Sequence, residues 1–369
     1  MQRRLWQLLA VLLAFTLVAA ACGDDDESSD SGSGGTSDVT AAFVYIGEPG
    51  DAGWTYAHDN GRQFAEEQTG ATTLTVENIP EGSPEFDIAV RDFIDQGADV
   101  IFATSFGYMD AMEALAAEFP DVAFAHATGY MSNDTNFGNY FGRIYQARYL
   151  TGLAAGEASA SGNIGYVAAF PIPEVLRGIN AFTLGVKEAN PDATVTVNWT
   201  FTWFDPAVEG DAANALLEGG ADLIAMHQDS TAAGEAAEAV GARWVSYNSD
   251  MSAFAPDAYL ASAVWDWGPY YASVIEAVAE GSYAGGAYWG GMDDDTIRIP
   301  SFNKKVPANV VAEAKKFMTG MKAKTFNPFT GPIKDQSGKV RVPAGKTMTN
   351  AELAGMNWYV QGIQGSIPK

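Results

Sequence analysis

"IDQGADVIFATSFGYMDAMEAL", residues 94–115, returns in altered form as "LEGGADLIAMHQDSTAAGEAAEA", residues 217–239. In each, a helical pattern closes on glycine, Ala-Asp leads into an apolar run, and a polar turn opens the next helical pattern. Glycine at that point ends a helix just ahead of a strand. An apolar run without alternation is a strand covered on both faces, as in parallel sheets built from βαβ units. Two copies of the unit predict two similar α/β lobes. A single αβα domain with unrelated loops is the simpler alternative.

Outward from this pair the same rhythm continues. Strand-like runs stand at "AAFVYIG" (41–47), "TTLTVENI" (72–79), "VAFAHAT" (122–128), "GNIGYVAAF" (162–170), "ATVTVNWTF" (193–201), "ARWVSYNS" (242–249) and "AYLASAVWDW" (258–267). Helical patterns fall between them, over 58–70, 85–96, 109–119, 145–161, 174–190, 208–219 and 231–240. In parallel sheets, ligands bind beyond the carboxyl ends of the strands. The polar and aromatic clusters lie there: "GEPGDAGWTY", "TSFGYMD", "HATGY", "FPIPE", "TWFDP", "HQDST", "NSDM" and "WDWGPYY". A common crevice between two lobes is the expectation.

With 369 residues, the chain is long enough for two lobes with their own cores. Its net charge of −25 argues against nucleic acid, whose phosphates such a surface repels. The N-terminus "MQRRLWQLLAVLLAFTLVAAAC" has Arg3 and Arg4, an apolar run from Leu8 to Ala21, then Cys22. That run is short for a membrane span, which needs about 20 residues, and reads as a secretory signal over 1–21. The sole cysteine after three alanines looks like a lipobox whose thiol is acylated, although Ala19 stands where leucine is usual. With no second cysteine, the fold contains no internal disulfide. The acidic, Gly/Ser-rich stretch 22–38 reads as a flexible tether. The expected location is the extracytoplasmic face of a cell membrane, held by a lipid anchor.

The motifs of common chemistries are missing. The glycines of "GEPGDAG", at 47, 50 and 53, have the wrong spacing for a dinucleotide fingerprint. Neither a phosphate-binding G-x-x-x-x-G-K-[ST] nor a G-x-S-x-G elbow occurs, and three histidines without a Cys/His cluster do not suggest zinc. No metal or cofactor is expected. Acids at strand ends leave an exported two-carboxylate hydrolase open, but they sit beside indoles, which suits recognition better than bond cleavage. Indole faces give rigid apolar surface to a planar ligand, and carboxylates such as Asp229 and Asp250 accept from its N–H or O–H groups. Any one Trp packs a core as readily, and any one loop Asp caps a helix as readily. The convergence at strand ends carries the functional reading.

The motifs "GDAGWTYAHDNGR", "TSFGYMDA", "HATGY", "FPIPEVLRGINAFTLG", "WTFTWFDP", "HQDS", "DWGPYY" and "NPFTGPIKDQSGK" resemble the basic membrane protein family of ABC-transporter substrate-binding lipoproteins, over residues 40–362. This family includes the purine nucleoside receptors, and the later motifs resemble adenine- or purine-associated members. The resemblance implies an α/β type I periplasmic-binding-protein fold: two Rossmann-like lobes with parallel sheets, joined by a three-strand hinge. The expected lobes are 39–146 with 263–291, and 147–262 with 292–369.

In nucleoside-binding relatives two aromatic rings sandwich the base. Matched to their motifs, the resemblance implies Trp54 with Thr55 from the first lobe and Trp203, rivalled by Phe204, from the second. It places an acid at Asp250, and His126 near a position where relatives carry another. Asp229 joins Asp250 as acceptor, while Phe106, Tyr108, Asp266 and Trp267 complete the expected wall. Trp265 stands where ribose-binding relatives carry lysine, which favours a free base over a nucleoside and adenine weakly over guanine. The expectation is a monomeric, non-enzymatic receptor delivering a purine to an importer permease. A sugar or other small polar solute is the runner-up ligand, and a ligand-sensing lipoprotein the runner-up role. The segment "FNPFTGPIKDQSGKVRVPAGKTMT", 326–349, reads as a hairpin-like appendage without a ligand role.

Overall fold

The computed structural model describes residues 36–369. The signal segment 1–21, the lipidation candidate Cys22 and the tether up to residue 35 lie outside the described residues. The last three tether residues, Thr36–Asp38, form one 3-10 turn.

The chain opens with β1 (Thr40–Val44), α1 (Trp54–Thr69), β2 (Thr72–Val76), α2 (Pro84–Asp95), β3 (Val100–Ala103), α3 (Met109–Glu118), β4 (Ala123–Ala127) and β5 (Phe137–Gly142). It continues with α4 (Tyr145–Ala158), β6 (Asn163–Ala168), α5 (Pro173–Ala189), β7 (Thr194–Trp199), α6 (Pro206–Glu218), β8 (Leu223–His227), α7 (Ala232–Ala239), β9 (Arg243–Asn248) and β10 (Tyr259–Trp265). The remainder holds α8 (Gly268–Ala279), β11 (Gly286–Gly290), β12 (Ile297–Arg298), α9 (Ala308–Lys322), β13 (Ile333–Lys334), β14 (Val340–Val342), α10 (Asn350–Ala354) and β15 (Ile363–Gln364).

These strands form two large sheets. The first runs β11-β5-β4-β3-β1-β2 and is parallel throughout. The second runs β12-β10-β9-β8-β6-β7-β15, with only the short β12 antiparallel. The doubly covered strands read in the sequence are here: β3, β4, β8 and β10 are buried at every position. Their alternation sorts the first lobe into two layers. Ala41, Phe43, Val100, Phe102 and Ala125 face one core, while Ala42, Val44, Ile101, Ala103 and Phe124 face the other, with Phe86 and Met112. Register places Phe43 beside Phe102, and their rings stack at 4.6 Å.

The chain changes sheet three times: between β5 and α4, between β10 and α8, and between β11 and β12. This is the two-lobed, three-crossover architecture expected. In the second lobe α4 and α5 cross at backbone contact. A Cβ on Gly152 would stand 2.0 Å from the Phe182 carbonyl oxygen, and one on Gly185 2.0 Å from that of Tyr149. The C-terminal segment contains the antiparallel pair β13–β14, and β15 then docks on β7 as an edge strand of the second sheet.

One boundary differs in a way that matters for the site. The pattern predicts a helix from His58, whereas α1 begins at Trp54. The reason is Asp51, whose carboxylate accepts from the N–H groups of Gly53 (2.7 Å), Thr55 (2.9 Å) and Tyr56 (2.9 Å). First-turn donors lack helical partners, so this carboxylate lets the helix start a turn earlier.

Candidate functional site

Starting α1 at Trp54 fixes where its indole lies. The ring is half-buried, and Nε1 donates to the Thr104 carbonyl just beyond β3, at 2.6 Å. It meets His58 at 4.3 Å and 75°, Trp265 at 5.8 Å and 88°, and Trp267 at 6.0 Å and 77°. Those three rings are stacked on one another. Trp265 lies on Trp267 at 4.8 Å and 15°, and Trp267 on His58 at 5.0 Å and 3°. Trp267 is fully buried, so it acts as a brace behind Trp54 and not as an open wall. His58 ends the stack, with Nδ1 against the Tyr271 hydroxyl, which meets the Tyr140 hydroxyl at 2.9 Å. Burial pulls the His58 imidazole well below its usual pKa and keeps it neutral.

The other first-lobe candidates separate. Thr55 is buried beneath the Asp51 turn. Phe106 is half exposed on the turn after β3, whereas Tyr108 is buried against Phe86 at 4.3 Å with its hydroxyl donating to the Ile79 carbonyl. Tyr108 thus belongs to the core layer containing Phe86 and Val90. His126, within β4, is buried with Nε2 2.7 Å from the Ser105 carbonyl. Asp266 sits at the second crossover, ion-paired to Arg298 at 3.1 Å.

In the second lobe Trp203 is half-buried beside Phe170, at 5.1 Å, and Phe204 is half exposed. Asp205 caps α6, accepting from the N–H groups of Ala207 and Val208. Asp229 caps nothing. Its Oδ1 accepts from Asn248 Nδ2 at 2.6 Å, and Asn248 Oδ1 accepts from Trp265 Nε1 at 2.9 Å. The relay ties an acid at one strand end to the indole at the hinge. Burial, then the carboxylates of Asp51 and Glu209, push the Asp229 carboxyl well above the usual range. Asp250 is exposed and accepts from the Ser252 N–H at 3.1 Å.

The lobes touch directly at these loops. Ser249 Oγ donates to the Ala52 carbonyl at 2.5 Å, and Gly53 rests on the backbone of Asp229. Trp54, Trp265, Asp229 and Trp203 are therefore gathered at one interlobe junction, since the Asp229 N–H also donates to the Trp203 carbonyl at 3.2 Å.

A buried charged group behind Trp265 was not singled out from the sequence. Arg148, fully buried on α4, stacks 3.7 Å from the Tyr247 ring and donates to the Met226 carbonyl at 2.7 Å. Glu174 lies 3.1 Å from His227 Nε2 and accepts from Tyr247 Oη at 3.4 Å. The buried Arg177 donates to the Leu353 carbonyl at 2.8 Å. An arginine inside the apolar pattern of 145–161 was the available signal. Asp51 and Asn248 gave none beyond their place near strand ends, and His58 none beyond its place in a helix.

Two parallel-sheet lobes and three crossovers, with an aromatic, acid-lined junction at the strand ends, define the type I periplasmic-binding-protein fold. Solved structures carry the same fold. A solute-binding protein of an ABC transporter system from Conexibacter woesei superposes with a TM-score of 0.66 at 21% identity, covering 78% of this chain and 98% of that one. A transcriptional activator from Bacillus halodurans gives 0.69 at 19%, covering 79% and 99%. Residues 38–336 match the family model described as ABC transporter substrate-binding protein, PnrA-like, and the chain belongs to that family. It is therefore an extracytoplasmic substrate-binding protein and not an enzyme. A purine-binding protein of Brucella abortus is 42% identical over 333 residues, 90% of this chain and 94% of that one. A Haloferax volcanii protein, named as a candidate glucose-binding protein of an ABC transporter, is 39% identical over 358 residues, 96% and 87% respectively.

Proposed function

We propose that the protein captures a purine, adenine foremost among free bases and nucleosides, between its lobes and delivers it to an importer permease. The observation that carries this reading is Trp54. Its N–H is already bound to Thr104 and its edge is braced by three stacked rings, so a π face is what it offers to a ligand. Trp203, with Phe204 as its rival, supplies the opposing ring. Asp229 and Asp250 meet the base edge, and Thr55, Phe106, Tyr108, His126, Asp266 and Trp267 support the two walls. The protein works as a monomer, anchored through a lipid on Cys22, with 39–146 plus 263–291 and 147–262 plus 292–369 as the two moving bodies. The Brucella relative's name supports a purine. The Haloferax relative's name supports a second reading, in which the same indoles and acids bind a pyranose such as glucose.

A thermal-shift panel of adenine, hypoxanthine, guanine, adenosine and glucose distinguishes them. A ligand at about 100 times its dissociation constant stabilises the folded form by roughly 2.7 kcal/mol. A shift with adenine exceeding that with adenosine supports the proposal. A shift with glucose alone replaces it with the sugar reading.

A further inference from the structure

We infer that Gly53 sets how far the two lobes close on a ligand, an inference that rests on the capture reading above. A Cβ built on Gly53 would stand 2.4 Å from the Asp229 carbonyl oxygen and 2.7 Å from both its Cα and its Cβ. All three contacts cross from the first lobe to the second. Gly50, three residues earlier in the same loop, would meet nothing within 4 Å. Gly50 lies within the 3-10 turn Pro49–Asp51 and Gly53 at the start of α1, and of the two only Gly53 lies in the interlobe contact.

Neither side of that contact is free to yield. The Gly53 N–H is held by Asp51 Oδ1 at 2.7 Å, and the Thr55 and Tyr56 N–H groups fix the same carboxylate. Across the gap, Asp229 is held through its N–H by the Trp203 carbonyl and through its carboxylate by Asn248. A side chain at 53 is therefore relieved chiefly by moving one lobe away from the other. About 1 Å of separation restores an ordinary contact. The Ser249–Ala52 hydrogen bond, at the neighbouring residue, is lost first. Ligand contacts made simultaneously from both lobes weaken with it. Association begins on the open form and is largely unaffected, so the loss appears in dissociation.

The test compares Gly53→Ala with Gly50→Ala in the full chain. To read closure without ligand, Ala52→Cys and Ser249→Cys are introduced into a Cys22→Ser parent and their oxidative cross-linking is timed. The parent and Gly50→Ala should cross-link at the same rate, and Gly53→Ala at least about tenfold more slowly. Equal rates would overturn the inference. To read closure with ligand, the radius of gyration and dissociation rate are measured with adenine and with glucose. Compaction should occur in full in wild type and Gly50→Ala and fall short in Gly53→Ala, with dissociation about tenfold faster or more. Full compaction and unchanged dissociation in Gly53→Ala would overturn it. Wild type that ignores adenine but compacts with glucose defeats the purine reading while leaving the glycine comparison intact. If neither probe acts, the cross-linking rates still decide. Should Gly53→Ala not fold, Ser249→Ala serves as the second variant: it removes the adjoining interlobe bond without adding an atom. A few-fold faster dissociation is expected, and an unchanged rate would overturn the inference.

Discussion

The two walls of the junction are built from different materials. The first lobe offers neutral aromatics: Trp54 braced by His58 and Trp267, whose stack ends on Trp265 of β10 at the crossover, with the hydroxyls of Tyr271 and Tyr140 behind them. The second lobe buries charge: Arg148, Arg177 and Glu174 lie within or against one network. An aromatic wall keeps its shape through contact area and tolerates changes in charge state. A buried ionic wall keeps its shape only while each charge is compensated. Ring geometry should therefore govern affinity on the first side, and charge balance should govern stability on the second.

The largest effect should come from unbalancing the ionic wall. Glu174→Ala removes the carboxylate that faces His227 while leaving the guanidiniums of Arg148 and Arg177 buried. Breaking a buried ionic group from one side costs about 3–5 kcal/mol, to be read by denaturant unfolding. A loss below about 1 kcal/mol would place that charge effectively in solvent.

Next in size is removal of the stacking face. Trp54→Ala should weaken binding of the preferred ligand by about 1–3 kcal/mol per stacked base, or roughly 5- to 150-fold, measured by calorimetry. Full affinity in that variant would break the link between the aromatic wall and recognition.

The pH dependence of stability sharpens the contrast because two buried groups, one in each lobe, slope in opposite directions. Burial pulls His126 down to about 4. The unfolded imidazole, near pKa 6.5, binds its proton first as pH falls. This contribution is therefore complete above about pH 6.5 and lost as the pH falls toward 4. Glu209 in the second lobe is pushed up to about 6, chiefly by burial. There the folded state retains the proton longer than an unfolded carboxyl near 4.3, so its contribution is complete below that pH and lost as the pH rises to 6. His126→Asn should flatten the first slope and Glu209→Gln the second, in unfolding curves collected from pH 4 to 7. Slopes unaltered by both variants would remove these groups as their source.

The smallest effect is also informative. Asp250 is exposed and bonded only locally, so Asp250→Asn should change stability by no more than about 0.5 kcal/mol. Any larger loss of ligand affinity in that variant then reads a direct contact with the ligand.

Much of this contrast was legible in one dimension, and unevenly. Trp54 stood out because it follows a glycine-rich turn after an apolar strand. Asp205 caps α6, as a loop Asp ahead of Pro206 suggests, whereas Asp229, equally placed ahead of a helix, bonds Asn248 instead. Trp267 read as wall, yet its neighbours are indole and imidazole on both sides. Tyr108 shares a turn with Phe106 but points into a different layer, since successive residues on a short turn diverge. His58 opens the helical pattern 58–70 and carries no local signal of its place in the stack, which depends on Tyr271, 213 residues away.

By itself, the sequence determined most strands and helices as far as β10, because apolar runs, helix-closing glycines and caps act over a few residues; the crossovers followed only from the family resemblance. It also determined that aromatic and acidic groups gather at strand ends, because the parallel βαβ unit places every such loop on one side of its sheet. Only the tertiary structure decided which of those groups meet. The Ser249 hydroxyl and the Ala52 carbonyl are 197 residues apart, and Gly53 owes its constraint to a second-lobe backbone that no local pattern announces. Contacts of that kind depend on how two folded bodies fit together, and they are fixed only when the lobes pack.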